Sequence, residues 1–185
     1  MEALAKEASR GLAEEGDKYV ASLIETAVES ATPIGQSPSV ISLTTANAMA
    51  SVEDGFAYLY GKNVPVNSEF YLELAPKVFT IYRQSLTEIS TNNPEILKRG
   101  AVGKINNAYV CIENLLPTGK TGTGSVDNVY YNVLRTSKAI AFVEQIDKVE
   151  AFRPHDAFQD ALKGLYVFGA KIVRPDEIYV MKTAS

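Results

Sequence analysis

The sequence predicts an α+β fold, and three features support this assignment. Residues from about Glu2 to about Ser30 place apolar side chains at three- and four-residue spacing, which is typical of one face of a long α-helix. Residues Glu69–Leu74 alternate between polar and apolar side chains, as a half-buried β-strand does. The other helix and strand patterns are interspersed without the regular spacing of βαβ units, which excludes a simple parallel α/β sheet.

The N-terminal helix is expected to be the element on which the rest of the fold is built. At about 1.5 Å per residue it would be roughly 40 Å long, well above the average helix of a globular domain. Its apolar stripe is narrow, so the helix needs a sheet or another protein to lie against. The residues of the stripe are Leu4, Ala8, Leu12, Tyr19, Val20, Leu23, Ile24, Ala27 and Val28.

Two shorter helices are predicted before the middle of the chain. A loop rich in Thr, Pro, Gly and Ser at 31–40 precedes the first of them. This helix is expected to begin at Thr44 or Thr45 and to have Gly61 as its C-cap. Pro76 occupies the favoured first-turn position of the next helix, which the Asn-Asn-Pro sequence at 92–94 ends.

Strand patterns dominate the second half of the chain, apart from one short helix predicted at 137–146. We expect the long N-terminal helix to lie across a sheet formed by the strands at 147–153, 161–173 and 178–181. The other segments predicted as strands are 129–134 and a β-hairpin of 102–105 with 109–113.

The composition narrows the class of protein. A hydrophobic content of 46% allows a sizeable core, and a formal net charge of −4 argues against a dedicated nucleic-acid binder. Cys111 is the only cysteine, so no intrachain disulfide can form, which agrees with a reducing compartment. Neither an apolar signal-peptide core nor an apolar run of about 20 residues is present, so a soluble protein made inside the cell is expected.

The segment Gly119–Ser125 is the strongest candidate for a chemical site, because its Gly-Lys-Thr-Gly-Thr-Gly-Ser sequence resembles a phosphate-binding loop. A Walker loop needs a glycine five residues before its Gly-Lys pair, where this chain has Asn114. It also needs a helix directly after it, whereas the pattern at 126–134 predicts a strand. We therefore predict a flexible surface loop, with a nucleotide-binding enzyme domain as a distant alternative.

The other candidate groups are also better explained by structural roles. His155 has no accompanying nucleophile or further metal ligands, and Cys111 lies in a strand pattern where a buried small hydrophobe is expected. The acidic pairs Glu14-Glu15 and Asp176-Glu177 fit a solvated helix face and a turn. The sequence thus predicts no catalytic residue, no cofactor-binding residue and no metal site.

The C-terminal segment Val149–Ile178 has a distinctive order of features. A charged strand is followed by an Arg153-Pro154 turn, a long strand that contains Gly164 and Gly169, and a second Arg-Pro turn before the last strand. In this order the segment resembles the end of a tailed-phage major capsid protein of the Hong Kong 97-type fold. The N-terminal helix is similar to the spine helix of that family.

The middle of the chain also resembles the peripheral and axial domains of this family. The matching residues are Val64-Pro65, Leu74-Ala75-Pro76, Gly100–Gly103, Ile105, Tyr109-Val110, Asn114 and Leu116-Pro117. Two positions depart from the pattern: Asn67-Ser68 stand where many relatives carry an arginine, and Asn106-Asn107 where many have a glycine in the hairpin turn. Asparagine tolerates positive φ, so the second departure is compatible with the same turn.

The resemblance implies a long spine helix across a β-sheet in a peripheral domain, and an axial domain of helices around a small sheet. Residues 1–45 would form the spine helix and loop of the peripheral domain. Residues 46–146 would form the axial domain, and residues 147–185 would be the C-terminal strands of the peripheral domain.

The resemblance also implies a structural role without enzymatic activity. The chain would be the major capsid subunit that assembles into an icosahedral shell of pentameric and hexameric rings around phage DNA, without sequence-specific DNA contacts. Copies of itself, a portal, and scaffold or protease proteins would be its partners, with no membrane and no cofactor. It would be made in the host bacterial cytoplasm and reside in the virion. A bacterial nanocompartment shell of the encapsulin type, which has the same fold, is the alternative.

Members of this family normally carry an N-terminal arm and an extended β-hairpin loop before the spine helix. Here only Met1 and Glu2 precede the helix, so the chain is expected to be a truncated version or a compact core. The arm and the loop reach over neighbouring subunits in the family. We therefore expect these 185 residues alone to remain a soluble monomer or small ring and to form no closed shells.

Overall fold

The computed structural model describes residues 2–30, 34–88, 103–119, 129–153 and 161–184. Within these residues the chain forms three α-helices, an eight-stranded sheet and a two-stranded ribbon. The helices are α1 (Glu2–Glu29), α2 (Ala48–Gly61) and α3 (Pro76–Glu88). The strands are β1 (Gly35–Gln36), β2 (Ile41–Ser42), β3 (Phe70–Leu74), β4 (Lys104–Ile105), β5 (Ala108–Ile112), β6 (Thr118–Gly119), β7 (Val129–Thr136), β8 (Ile140–Phe152), β9 (Ala161–Ile172) and β10 (Ile178–Ala184).

The larger sheet is mixed and has the order β1-β10-β7-β3-β5-β4, with β2 also on β10 and β6 also on β7. Strands β3 and β7 pair antiparallel, as do β7 and β10, whereas β3 and β5 are parallel. The chain crosses once from β3 through α3 to the parallel strand β5, but this unit is not repeated among the described elements. The predicted α+β class is confirmed.

Apolar side chains of α2, α3 and the central strands form the main core. Strand β3 shows the predicted alternation, because Phe70, Leu72 and Leu74 are buried while the two residues between them are half-buried. Helix α3 begins at Pro76 as predicted. Other fully buried side chains are Val52, Phe56, Leu59, Val78, Tyr82, Leu134, Ile178 and Met181.

Helix α1 has the length that the sequence predicts, and it packs along β9 of the ribbon. Strands β8 and β9 pair antiparallel over their whole length. The prediction that 178–181 join this ribbon in one sheet is wrong, because β10 lies between β1 and β7 in the larger sheet. All four residues Ile178–Met181 are buried, which fits an interior strand covered on both faces.

The helix predicted at 137–146 is also wrong, since β8 begins at Ile140 and runs beyond this segment. A short apolar run fits both periodicities, and here the pairing with β9 decides between them. The predicted loop at 31–40 contains β1. The predicted division of the chain at 146/147 stays a prediction, and strand β8 runs through that boundary.

Two asparagines adopt positive φ at turns. Helix α2 begins at Ala48, after Asn47, and Gly61 is its last helical residue instead of the expected C-cap. Asn63, with φ of 62°, takes the left-handed conformation after this helix. Asn106, with φ of 51°, does so in the hairpin between β4 and β5, which confirms that asparagine replaces glycine there.

The Tyr82 hydroxyl links α3 to α2 through a buried hydrogen bond of 2.7 Å with Ser51 Oγ. Burial raises the pKa of Tyr82 to about 12, and the Ser51 hydrogen bond opposes this only in part. Because the unfolded chain loses this proton first, stability is expected to fall between pH 10 and 12 by roughly 2 kcal/mol. Chemical denaturation at stepped pH would measure this loss, and Tyr82→Phe should remove most of it. An equal alkaline loss in both proteins would contradict the assignment to Tyr82.

Candidate functional site

Most of the segment Gly119–Ser125 lies outside the described residues, as does His155. Within the described part, Thr118 and Gly119 form β6 and pair with β7. Among the described residues, no group of three or more His, Cys, Asp or Glu side chains is arranged to hold a metal ion. In the same part of the chain, no helix is long and apolar enough to cross a membrane.

Cys111 is a free and exposed cysteine of β5, so the prediction of a buried side chain is wrong. It lies opposite Glu73 of β3, on the face of the sheet that α2 and α3 do not cover. Partial desolvation and then the Glu73 carboxylate raise the pKa of the Cys111 thiol. The thiol is therefore mostly protonated at neutral pH, which disfavours a nucleophilic role.

The acidic pairs predicted as surface features are held by ordinary ion pairs. Glu14 and Glu15 share Lys18, whose Nζ lies 3.5 Å and 2.7 Å from their carboxylates. Asp176 lies in the turn before β10 and pairs with Lys62 at 2.9 Å. None of these groups faces a second carboxylate across a cleft, so none of them forms an acid–base dyad.

Glu177 differs from these exposed acids because it connects two parts of the chain. Burial opposes its ionisation, but hydrogen bonds from the Thr136 hydroxyl and Arg174 outweigh this and lower the pKa of the Glu177 carboxyl. Thr136 ends β7, and Glu177 directly precedes β10, its antiparallel neighbour. This contact closes the end of the β7–β10 pair and has a structural role.

A row of cations and aromatic rings crosses four neighbouring strands in register. Lys104, Tyr109, Tyr71 and Arg135 are directly paired along β4, β5, β3 and β7. The Lys104 ammonium lies 4.0 Å from the centre of the Tyr109 ring, and the two tyrosine rings are stacked at 5.8 Å. Glu73 neutralises Arg135, so the charge that remains on the row is that of Lys104, and the row mainly stabilises the sheet.

The ribbon has one face covered by α1. Tyr19 of α1 packs edge-on against Phe168 at 5.6 Å, and Phe142 stacks on the same ring at 6.2 Å. Gly16 allows close approach at this point, because a Cβ there would lie 3.2 Å from the Phe142 ring. The helix and the ribbon are therefore joined mainly through aromatic contacts.

The opposite face of the ribbon is uncovered and mainly apolar. Val143 is 71% exposed and Val167 is 52% exposed, and Val173 just after β9 is 55% exposed. All described residues of this face are exposed, and Lys171 is the one charged side chain among them. A solvated face of an antiparallel sheet is normally polar, so this face is suited to contact with another protein.

No protein-family model and no curated protein matches the chain. Several solved structures do match it. A structure from Mycobacterium phage Che8 covers 98% of the chain at a TM-score of 0.79 and 24% identity. The capsid of cyanophage P-SCSP1u covers 100% at a TM-score of 0.71 and 18% identity. The mature capsid of bacteriophage PhiM1 covers 90% at a TM-score of 0.57 and 17% identity.

The chain has a phage capsid fold. A virus-like particle from Pyrococcus furiosus shares this phage capsid fold over 92% of the chain, at a TM-score of 0.54 and 16% identity. The chain spans 62% of the Che8 protein and 66% of the cyanophage capsid protein, less than two thirds of either. The predicted resemblance to capsid proteins is therefore confirmed at the level of the fold.

The sequence identified the phage capsid fold but not the exposed apolar face of the ribbon. The uncovered valine face of the ribbon was missed because the segment that begins β8 was predicted as a helix. The signal that could have revealed it is the alternation in β9, where Tyr166, Phe168 and Ala170 lie on one face and Val167 on the other.

Proposed function

We propose that the chain is a tailed-phage major capsid subunit of the Hong Kong 97 type, which assembles with copies of itself into a closed icosahedral shell around phage DNA. The observation that supports this most strongly is the fold match to the cyanophage capsid over the whole chain. The described residues hold no metal cluster, and the carboxylates of Glu14, Glu15 and Asp176 are held in ion pairs. The proposed role is structural and requires no catalytic group.

The mechanism proposed for assembly is geometric. A stiff α1–ribbon unit and an eight-stranded sheet give the subunit unlike edges, and unlike edges that meet head to tail close into rings. The exposed face of the ribbon with Val143 and Val167 is a candidate contact between copies, because burial of valine is favourable by roughly 25 cal/mol per Å² of apolar area.

Assembly of the complete gene product tests this function directly. Closed, uniform particles tens of nanometres across are expected in negative-stain images, with DNA protected from nuclease when they are isolated from an infected host. Val143→Asp should leave the folded chain stable to within about 0.5 kcal/mol, since the side chain is exposed, and should reduce the particle yield. Val66→Asp, at a position 62% exposed in a loop, is the matched control and should reduce the yield less. If the complete gene product enters no particle in infected cells, where the proposed partners are present, the proposal is contradicted.

Further partners follow from the proposed role. A portal, a scaffold or protease, and packaged DNA bound without sequence-specific contacts are proposed, and the virion is the proposed location. The second candidate is a nanocompartment shell subunit, favoured by the match to the Pyrococcus furiosus virus-like particle. Particles that enclose a protein cargo and no DNA would support this second candidate against the first.

A further inference from the structure

A cleft of about 270 Å³ separates the middle of α1 from the eight-stranded sheet. On its C-terminal side Ile24 and Ala27 of α1 are buried in the same cluster as the core of the sheet. On its N-terminal side the described side chains of residues 10–15 are exposed. The second half of the helix therefore lies on the sheet, and the helix stands off from the sheet at Asp17.

Carboxylates from three elements line this cleft: Asp17 of α1, Glu73 of β3 and Glu113 after β5. Arg135 of β7 is the one cation among the lining residues, and its Nε and Nη2 both donate to Glu73, at 2.9 Å and 2.6 Å. Glu113 accepts a hydrogen bond of 3.0 Å from the Leu115 amide. In the described part of the chain, neither Asp17 nor Glu113 forms an ion pair.

Among the described residues, the other charged groups near Asp17 do not neutralise it. Glu14 lies one turn earlier on α1 and is itself paired with Lys18. From the ribbon, Glu144 accepts a hydrogen bond of 2.7 Å from the Tyr166 hydroxyl. Negative charge thus reaches this cleft from the helix and from the sheet together.

Desolvation by burial, followed by repulsion from Glu113 and then Glu14, raises the pKa of the Asp17 carboxyl above its ordinary value. A raised pKa in the folded state means that protonation of Asp17 favours the fold. This stabilisation is fully present below the pKa of the unfolded chain and is lost as the pH rises through the folded pKa. At neutral pH the ionised Asp17 carboxylate therefore destabilises the fold, first through its desolvation and then through repulsion from Glu113 and Glu14.

We propose that this cleft is a proton-controlled joint. Ionised Asp17, beside the carboxylates of Glu73 and Glu113, holds the middle of α1 away from the sheet near neutral pH, and protonation of Asp17 at acidic pH lets the helix move onto the sheet. Because Gly16 and Tyr19 bind the helix to the ribbon, the ribbon moves with it. This movement takes place within one chain and is independent of the proposed function.

The accessibility of the cleft tests this proposal. In a Cys111→Ser background, Ala21→Cys places a single thiol on the wall of the cleft. The rate at which this thiol reacts with a neutral disulfide reagent is measured in the folded protein and in the unfolded chain at the same pH. The protection factor is the rate in the unfolded chain divided by the rate in the folded protein. At pH 7.5 we expect Asp17→Asn to raise this factor about threefold or more. At pH 4 the parent protein should reach the protection of the variant.

Glu15→Gln is the matched control, because it removes the same charge from the outward side of the same helix. It should leave the protection factor unchanged. Equal protection in the parent and Asp17→Asn proteins at pH 7.5 would overturn the proposal, as would an equal rise in Glu15→Gln. If the added thiol prevents folding, thermal unfolding of Asp17→Asn with Ala21 intact replaces this measurement. Its midpoint should exceed that of the parent at pH 7.5 but not at pH 3, and equal midpoints at pH 7.5 would likewise overturn the proposal.

Discussion

Replacement of Asn132 by alanine is expected to lower the free energy of unfolding by about 3–5 kcal/mol. Asn132 is fully buried on β7, where its Oδ1 accepts a hydrogen bond of 3.0 Å from the Ala75 amide. Its Nδ2 donates to the Thr183 hydroxyl at 2.8 Å. The side chain thus holds the turn from β3 into α3 and also joins β7 to β10. Alanine leaves a cavity and two buried polar groups without their partner.

Chemical denaturation of Asn132→Ala measures this effect, and two other variants separate its parts. Thr183→Val keeps the shape of a buried side chain and removes one hydrogen bond, so it should cost only about 1 kcal/mol. Asn107→Ala removes an exposed asparagine that bonds to the Val66 carbonyl at 2.9 Å, and it should cost less than about 1 kcal/mol. A loss from Asn132→Ala no larger than that from Asn107→Ala would show that the buried network does not hold the sheet.

Local sequence signals were sufficient for the elements whose pattern is strong. The long apolar stripe predicted α1 to within about one residue at each end, and Pro76 marked the start of α3. The alternation around Phe70 predicted β3. In each case the spacing of the apolar residues and a residue that favours the start or the end of the element indicate the same structure. Local sequence alone therefore specifies these elements, without information from tertiary contacts.

Elements that depend on distant partners could not be predicted in this way. Ile140, Phe142 and Val143 lie in a short apolar run that fits both helix and strand, and only the register with β9 makes it a strand. The continuous apolar run Ile178–Met181 indicates a strand covered on both faces. It does not indicate that β7 and β1 are its neighbours, because strand order is a property of the whole chain.

The candidate surfaces were harder to predict than the fold. Whether a strand face is exposed depends on where the other elements pack, and the local sequence does not contain that information. Cys111 follows the strand pattern of a buried residue, yet the face of β5 on which it lies is only partly covered. Asp17 and Glu113 are 96 positions apart along the sequence and share a cleft only because α1 crosses the end of the sheet. No local sequence pattern predicts that these two carboxylates lie close together.

Ile24→Ala is expected to lower the free energy of unfolding by about 3 kcal/mol. The sequence placed Leu23 and Ile24 in the same apolar stripe of the helix. Leu23 is half-buried, whereas Ile24 is only 1% exposed within the cluster that joins α1 to the sheet. Removal of the Ile24 side chain leaves a cavity that the strands of the sheet cannot fill, since they are fixed by their hydrogen bonds.

Two other variants of the same helix are the controls, because smaller losses of stability are expected for them. Leu23→Ala should cost about 1 kcal/mol, because part of that side chain is already in water. Leu12→Ala should be nearly neutral, since Leu12 is 42% exposed and alanine is the better helix former. Chemical denaturation of the three variants measures these losses. If the free energy of unfolding has the same dependence on denaturant concentration in all three, the midpoints give the order of the losses directly. If Ile24→Ala costs no more than Leu12→Ala, then α1 is held by the ribbon alone, and the sheet contributes nothing to its position.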